Sequence, residues 1–215
     1  MQLLADAGTI CAIAVQGRIL KKPTPTQLSN AHVTLKPLSL AEADRYLEIG
    51  GDQDIWEYLA PAPFECVSDA QLWINSMLQR SYETGEVPFS VYDNTSGKLA
   101  GSSSYLDVRP EHGGLEIGFT WYGKAFQRTH VNTATKLALL GHAFEALSAE
   151  RVQLQTDSRN VNSQRAIERL GSVKEGVLRK HKTYPNGYVR DSVMYSIIAD
   201  EWPQVKERLS GKLGR

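Results

Sequence analysis

The run Leu115-Glu-Ile-Gly-Phe-Thr-Trp121, the loop Tyr122-Gly-Lys-Ala-Phe-Gln-Arg-Thr-His-Val131 and the segment Asn132–Ala149 decide how the rest of the chain is read. Leu115, Ile117, Phe119 and Trp121 alternate with Glu116, Gly118 and Thr120, which is the period of a half-buried strand with Glu116 on the second face. Beyond the loop, Leu137, Leu140, Phe144 and Leu147 fall on one helical face. A β-rich run, Arg151–Thr156, comes next. Strand, helix and strand in that order predict a parallel crossover, because two parallel strands need a connection long enough to return the chain to its starting edge.

Working outward, Val87–Tyr92 and Leu99–Val108 precede this unit, separated by the turn signals Asn94-Thr-Ser-Gly97 and Glu111-His-Gly-Gly114. These runs and Leu115–Trp121 predict an antiparallel meander. Upstream, His32-Val-Thr-Leu-Lys36 alternates like a strand and closes at Pro37. Ser39 then caps a helix, with Glu42 three residues on completing a capping box, and Ser68 opens a second helix. Downstream, a short helix over Asn162–Leu170 stops at Gly171, which suits a left-handed C-terminal position. Two strands, Val173–Thr183 and Tyr188–Ala199, turn around Pro185-Asn-Gly187, a hairpin signal. The last segment, Ala199–Leu213, carries Trp202, Val205 and Leu209 at helical spacing, suited to core packing or a dimer contact. The predicted order, β-α-α-β-β-β-α-β-α-β-β, is an α/β fold with a mixed, mostly antiparallel sheet, a central parallel βαβ crossover and flanking helices.

The 215 residues suffice for one domain with a real core, and 24 Lys+Arg against 24 Asp+Glu argue against a nucleic-acid surface. Cys11 and Cys66 are too few for a disulfide framework or a cysteine-based zinc site, so a reducing compartment, the cytoplasm, is expected. The apolar stretch Thr9–Val15 is too short for a membrane helix and lacks the basic start of a secretory signal. Residues 1–28 read as an extension and spacer, stiffened by Lys21-Lys-Pro-Thr-Pro-Thr26, and residues 29–215 as the domain. No Walker loop, Gly-x-Gly-x-x-Gly, His-Glu-x-x-His or Gly-x-Ser-x-Gly occurs. His130, His142 and His181 are scattered, so no metal site is expected.

The helix that begins near Asn132 presents free N–H groups and a partial positive charge, which bind phosphate without a basic surface. Lys124, Arg128 and Lys136 stand close by in sequence. An ordinary crossover with solvated basic residues fits the spacing as well.

Leu115–Trp121, Gln127-Arg-Thr-His-Val-Asn-Thr133 with Lys136, Asp157-Ser-Arg-Asn-Val-Asn-Ser163 with Ala166-Ile-Glu-Arg-Leu-Gly171, and Arg190-Asp-Ser-Val-Met-Tyr-Ser196 together resemble the GNAT superfamily of acyl-coenzyme A N-acetyltransferases. Within it the chain is most similar to the RimJ/RimL type, which acetylates protein N-terminal amines. The likeness spans about Ala31–Leu209. It implies acetyl-CoA as co-substrate, no metal, a primary amine acceptor (a peptide N-terminus or a small molecule) and direct attack on the thioester, by a monomer or homodimer. Glu116 is then the candidate base and Ser163 the candidate acid, with Tyr184 and Tyr188 in reserve. Backbone N–H groups of Phe119, Thr120 or Trp121 are candidates to face the thioester carbonyl. The resemblance assigns Gln127, Arg128, Thr129, His130, Val131, Asn132 and Thr133 to the pyrophosphate, and Asn160, Ser163 and Arg165 to the rest of the cofactor.

In the superfamily the pyrophosphate loop usually carries glycines where His130 and Asn132 stand here. A module of the same fold that binds acyl-CoA or a partner with little turnover is therefore the second expectation. For the acceptor, Trp56, Tyr184 and Asp191 are candidates. Trp56, Tyr58 and Phe64 are interleaved with Asp52, Asp54, Glu57 and Glu65, a mixture that suits a cationic amine, although helix packing explains the aromatics equally well.

Overall fold

The computed structural model describes residues 19–59 and 62–214. Eight strands form one sheet in the order β1-β2-β3-β4-β5-β6-β8-β7. They are β1 Leu28–Ser29, β2 Val33–Pro37, β3 Val87–Asp93, β4 Leu99–Arg109, β5 Gly114–Tyr122, β6 Arg151–Asp157, β7 Val173–Thr183 and β8 Val189–Ile198. All neighbours are antiparallel except β5 and β6, the parallel pair made by the crossover. Helices α1 Ala43–Gly50 and α2 Val67–Thr84 pack on one face through Tyr46, Trp56, Phe64, Trp73 and Ile74. Helices α3 Val131–Gly141, α4 Val161–Leu170 and α5 Trp202–Leu213 belong to the larger cluster on the other face, with Phe89, Tyr105, Ile117, Leu139, Val152, Ile197 and Trp202.

Local chemistry moves several predicted boundaries. Ser39 caps only a 3-10 turn, Leu40–Glu42, before α1. Glu42 does not close a capping box, because its carboxylate accepts the hydroxyls of Ser90 and Tyr92 on β3. Helix α2 starts one residue earlier than Ser68, where the Asp69 carboxylate accepts the backbone N–H groups of Glu65 and Cys66. The helix predicted to run unbroken to Ala149 is α-helical only to Gly141 and continues as a π turn over His142–Ala146. Asn160 caps α4 by accepting the Ser163 N–H, and Gly171 ends it with φ of 105°.

Residues 1–18 and the apolar stretch Thr9–Val15 lie outside the described residues. The described part of the expected spacer is anchored: Leu20 is 1% exposed in the larger cluster, and Lys21 N–H donates to the Leu147 carbonyl at 2.9 Å. No helix among the described residues is long and apolar enough to cross a membrane.

The strand alternation predicted for Leu115–Trp121 fails at its centre. On β4 only Ser103 separates the residues paired with Trp121 and Gly118, whereas β5 places Phe119 and Thr120 between them. This is a bulge, with Phe119 at φ of 45°. One extra residue reverses every later side chain. Leu115 and Ile117 therefore join the larger cluster, while Phe119 and Trp121 turn to the α1–α2 face and Thr120 turns toward α3. Gly101 makes room for this: a Cβ there would lie 2.0 Å from the Trp121 carbonyl oxygen.

Candidate active site

Strands β5 and β6 pair only over Gly114–Arg151, Leu115–Val152 and Glu116–Gln153. Beyond that point β5 stays with β4 and β6 stays with β8 as far as Asp157, so the two diverge. A cleft of about 2070 Å³ opens between them. Backbone groups of the bulged part of β5 face this gap without a strand partner on that side, and the N-termini of α3 and α4 border it.

Glu116 sits at the last paired position and is 5% exposed. Its Oε2 accepts the carboxamide Nε2 groups of Gln153 at 3.0 Å and Gln155 at 2.7 Å. Gln153 and Gln155 were not among the predicted site residues, yet their signal is legible, since two amides at alternate positions interrupt the apolar pattern of Arg151–Thr156. Gly118 keeps the carboxylate's place open: a Cβ there would lie 2.9 Å from Glu116 Oε1 and 2.6 Å from Leu106 Cδ1.

The cleft brings together Glu116, Phe119, Thr120, Trp121, Gln127, Arg128, Thr129, Asn132, Thr133, Asn160, Ser163, Arg165 and Tyr184. Five other predicted residues, Trp56, His130, Val131, Asp191 and the reserve acid Tyr188, do not line it. Trp56 is 5% exposed, packed at a tilt against Phe64 and Trp121, and donates its indole N–H to the Gly50 carbonyl at 2.7 Å. Packing thus accounts for Trp56 and Phe64, whereas Tyr58 of the same segment lines the cleft. The Asp191 carboxylate accepts the Lys180 N–H at 2.7 Å and so fixes the irregular turn of β7, where Lys180 has φ of 50°. The His130 ring lies 3.0 Å from Asp93, and the Val131 side chain is in the core. Positive φ in the loop between β5 and α3 falls on Arg128, at 61°, while His130 has φ of −64°. The loop's geometry accordingly does not require glycine at 130.

The basic residues that flank the crossover in sequence part company in space. Lys124 binds Asp54 at 2.6 Å and Asp52 at 3.5 Å, and the hydrogen bond to Asp54 raises its pKa above the usual lysine value. Lys136 points inward and is buried, donating to Thr120 Oγ1 at 2.6 Å and Ser103 Oγ at 3.3 Å. Burial lowers its pKa to about 7, against the pull of Glu116. It ties α3 to the bulge. Arg128 stays exposed at the N-terminal end of α3.

At the opposite end stand groups that sequence reasoning missed. Arg190 on β8 donates to the Tyr184 hydroxyl at 3.0 Å and to Gln155 Oε1 at 3.4 Å. His181 and Lys182 on β7 line the same end. Partial burial lowers both pKa values, and each feels the other cations of this end against the attraction of Glu116. Arg80 is committed to Glu86 through two hydrogen bonds of 2.6 and 2.9 Å. Arg159 lies over the Tyr188 ring at 3.7 Å and pairs with the buried Asp157 at 3.0 Å.

The mixed sheet thus parts at a bulged strand, with a carboxylate at the fork and helix N-termini along the gap. The family model described as "Acetyltransferase (GNAT) domain" matches residues 32–173, and the chain belongs to this N-acetyltransferase family. It is 30% identical over 182 residues to a Bacillus subtilis protein provisionally named ribosomal N-acetyltransferase YdaF, covering 80% of this chain and 94% of the relative. A crystal structure of an acetyltransferase from T. thermophilus, itself assigned provisionally, superposes with a TM-score of 0.81 at 39% identity, over 89% of this chain and 98% of that one. Mycobacterium smegmatis RimJ, solved with CoA-disulfide, shares the fold with a TM-score of 0.72 at 20% identity, over 87% of this chain and 95% of that one.

Proposed function

We propose that the protein transfers an acetyl group from acetyl-CoA to a primary amine, either a peptide N-terminus or a small-molecule amine, by direct attack of the amine on the thioester. The observation that carries this reading is Glu116 at the fork of β5 and β6, held through one oxygen by Gln153 and Gln155. An amine is mostly protonated at neutral pH, with a reference pKa of about 7.7–8.0 for an α-amino group. Glu116 takes that proton, directly or through a water. The amine nitrogen then bonds to the acyl carbon, the carbon–sulfur bond breaks, and the Ser163 hydroxyl gives a proton to the leaving thiolate while the proton shed by the acylated nitrogen restores that hydroxyl, directly or through water. Unpaired N–H groups of the bulge are the candidates to face the carbonyl oxygen as charge builds there. Gln127, Arg128, Thr129, Asn132 and Thr133 would hold the pyrophosphate at the N-terminus of α3. Asn160, Ser163 and Arg165 border the far side of the gap. The alternative, a binding module with little turnover, draws its main support from the missing glycines, and His130 sits in ordinary helical backbone instead.

The test is Glu116→Gln, which keeps the shape and the strand. Release of free thiol with the best acceptor should fall by about 10²–10⁴ in kcat, the usual worth of a positioned base, while calorimetry shows acetyl-CoA binding retained. Full kcat in the variant would remove Glu116 from the role, and acetyl-CoA binding without transfer to any amine would favour the module.

A further inference from the structure

Arg190 is 8% exposed, yet no carboxylate among the described residues pairs with it. A guanidinium has five N–H donors, and those of Arg190 that find partners go to two neutral oxygens, the Tyr184 hydroxyl and Gln155 Oε1. Its Nε is buried without a partner. Removing a guanidinium from water costs free energy unless an anion compensates it. Of the other acids on the cleft wall, Glu86 pairs with Arg80, Asp157 with Arg159, Asp54 with Lys124 and Asp107 with Arg109, and none of these, nor Glu57, pairs with Arg190. Lys182 and His181 add further positive or protonatable groups at this end, and Lys182 makes no ion pair among the described residues. Gln155 joins the two functions. One end of its carboxamide accepts from Arg190 and the other donates to Glu116.

We infer that Arg190, assisted by Lys182, binds a carboxylate of the acceptor, so that the preferred substrate carries an anionic group a few bonds from the amine that Glu116 deprotonates. This deepens the proposed amine acetyltransfer and rests on it for the amine. The separation, one carboxamide wide, suits two sources of the same chemistry: the α-carboxylate of a free amino acid, or the side-chain carboxylate of an acidic residue at a peptide N-terminus. A planar carboxylate matches the guanidinium edge, with a charge-assisted pair stronger than the neutral contacts now made.

Two measurements test this separately from the acetyl transfer. First, succinate, which has no amine, is titrated calorimetrically into the full-length protein, the Arg190→Gln variant and the Lys182→Gln variant. Saturable binding to the unmodified protein, weakened at least about tenfold in R190Q and less in K182Q, is expected. Because R190Q alters a buried site, K182Q, at a solvent-reachable position, gives the result if R190Q does not fold. Second, thiol release is compared for amino acids against their amides and for peptides with N-terminal Asp or Glu against Asn or Gln. The anionic member of the productive pair should be favoured at least about tenfold in kcat/KM, with the preference reduced in K182Q and lost in R190Q. The pair that responds identifies the source. No succinate binding together with equal rates for charged and neutral amines overturns the inference and leaves the acetyltransfer standing. Succinate binding that depends on Arg190, without transfer to any amine, upholds the anion site and rejects the acetyltransfer.

Discussion

The Gly50–Glu65 segment and the β7–β8 end of the cleft show opposite relations between charge in sequence and charge on offer. The first contains Asp52, Asp54, Glu57 and Glu65 and no basic residue, which suggests a surface for a cation. In space, Asp52 and Asp54 are bound by Lys124, a residue some 70 positions away in the chain, and the interleaved Trp56 and Phe64 are core. At the second, acids and bases are mixed in sequence and nothing stands out. There the fold commits Asp191 to a backbone N–H and leaves Arg190 buried with neutral partners and no acidic one. Charge that can act on a ligand is what remains after long-range pairing, and pairing is invisible in composition.

Three variants bear on this contrast. Trp56→Ala should have the largest effect, on stability: removing a buried indole from the cluster of Trp121 and Phe64 costs about 3–5 kcal/mol by denaturant unfolding. The folded fraction should keep its acceptor KM, and a selective rise in that KM would return Trp56 to the acceptor site. Lys136→Met sharpens the contrast from the middle of the cleft, where a cation is held by hydroxyls alone. With the folded pKa near 7 and the unfolded value near 10.4, the unfolded chain binds more protons between those values. This group therefore makes stability rise with pH through that window and costs most below it. K136M should be more stable than the parent at pH 6, by on the order of 2–4 kcal/mol, with the advantage shrinking toward pH 10. A difference independent of pH would show that Lys136 stays charged in the fold. Asp54→Asn should have the smallest effect. The Lys124 pair is solvent-exposed, so thermal stability and the preference among cationic and neutral acceptors should both stay close to the parent. A marked loss of cationic acceptors would mean that the loop's acids are available after all.

The order of strands and helices was legible because alternation and helical spacing are local, and so was Glu116, an isolated acid in an apolar strand. The bulge at Phe119 and Thr120 was not. It is a property of the pairing between β4 and β5, permitted by Gly101 on the other strand, and nothing in Leu115–Trp121 itself announces it. For that reason Phe119 and Trp121 were expected on the wrong face. His130 and Val131 illustrate a second limit: a motif assigns positions, but the Asp93 carboxylate and the core decide where those two side chains go. Gln153 and Gln155 could have been found from their period. Arg190 could not, since its significance lies in a partner that the fold withholds.

The fork in the sheet also has a mechanical meaning. Five strands, β1 to β5, and three, β6, β8 and β7, are joined across the middle by only three register pairs, Gly114–Arg151, Leu115–Val152 and Glu116–Gln153. The sheet is thus two plates with a short seam at one end, held elsewhere by the helices that overlie both. A molecule lodged in the open part of the fork acts as a rivet on the unseamed side, so occupancy and the stiffness of the whole sheet rise together.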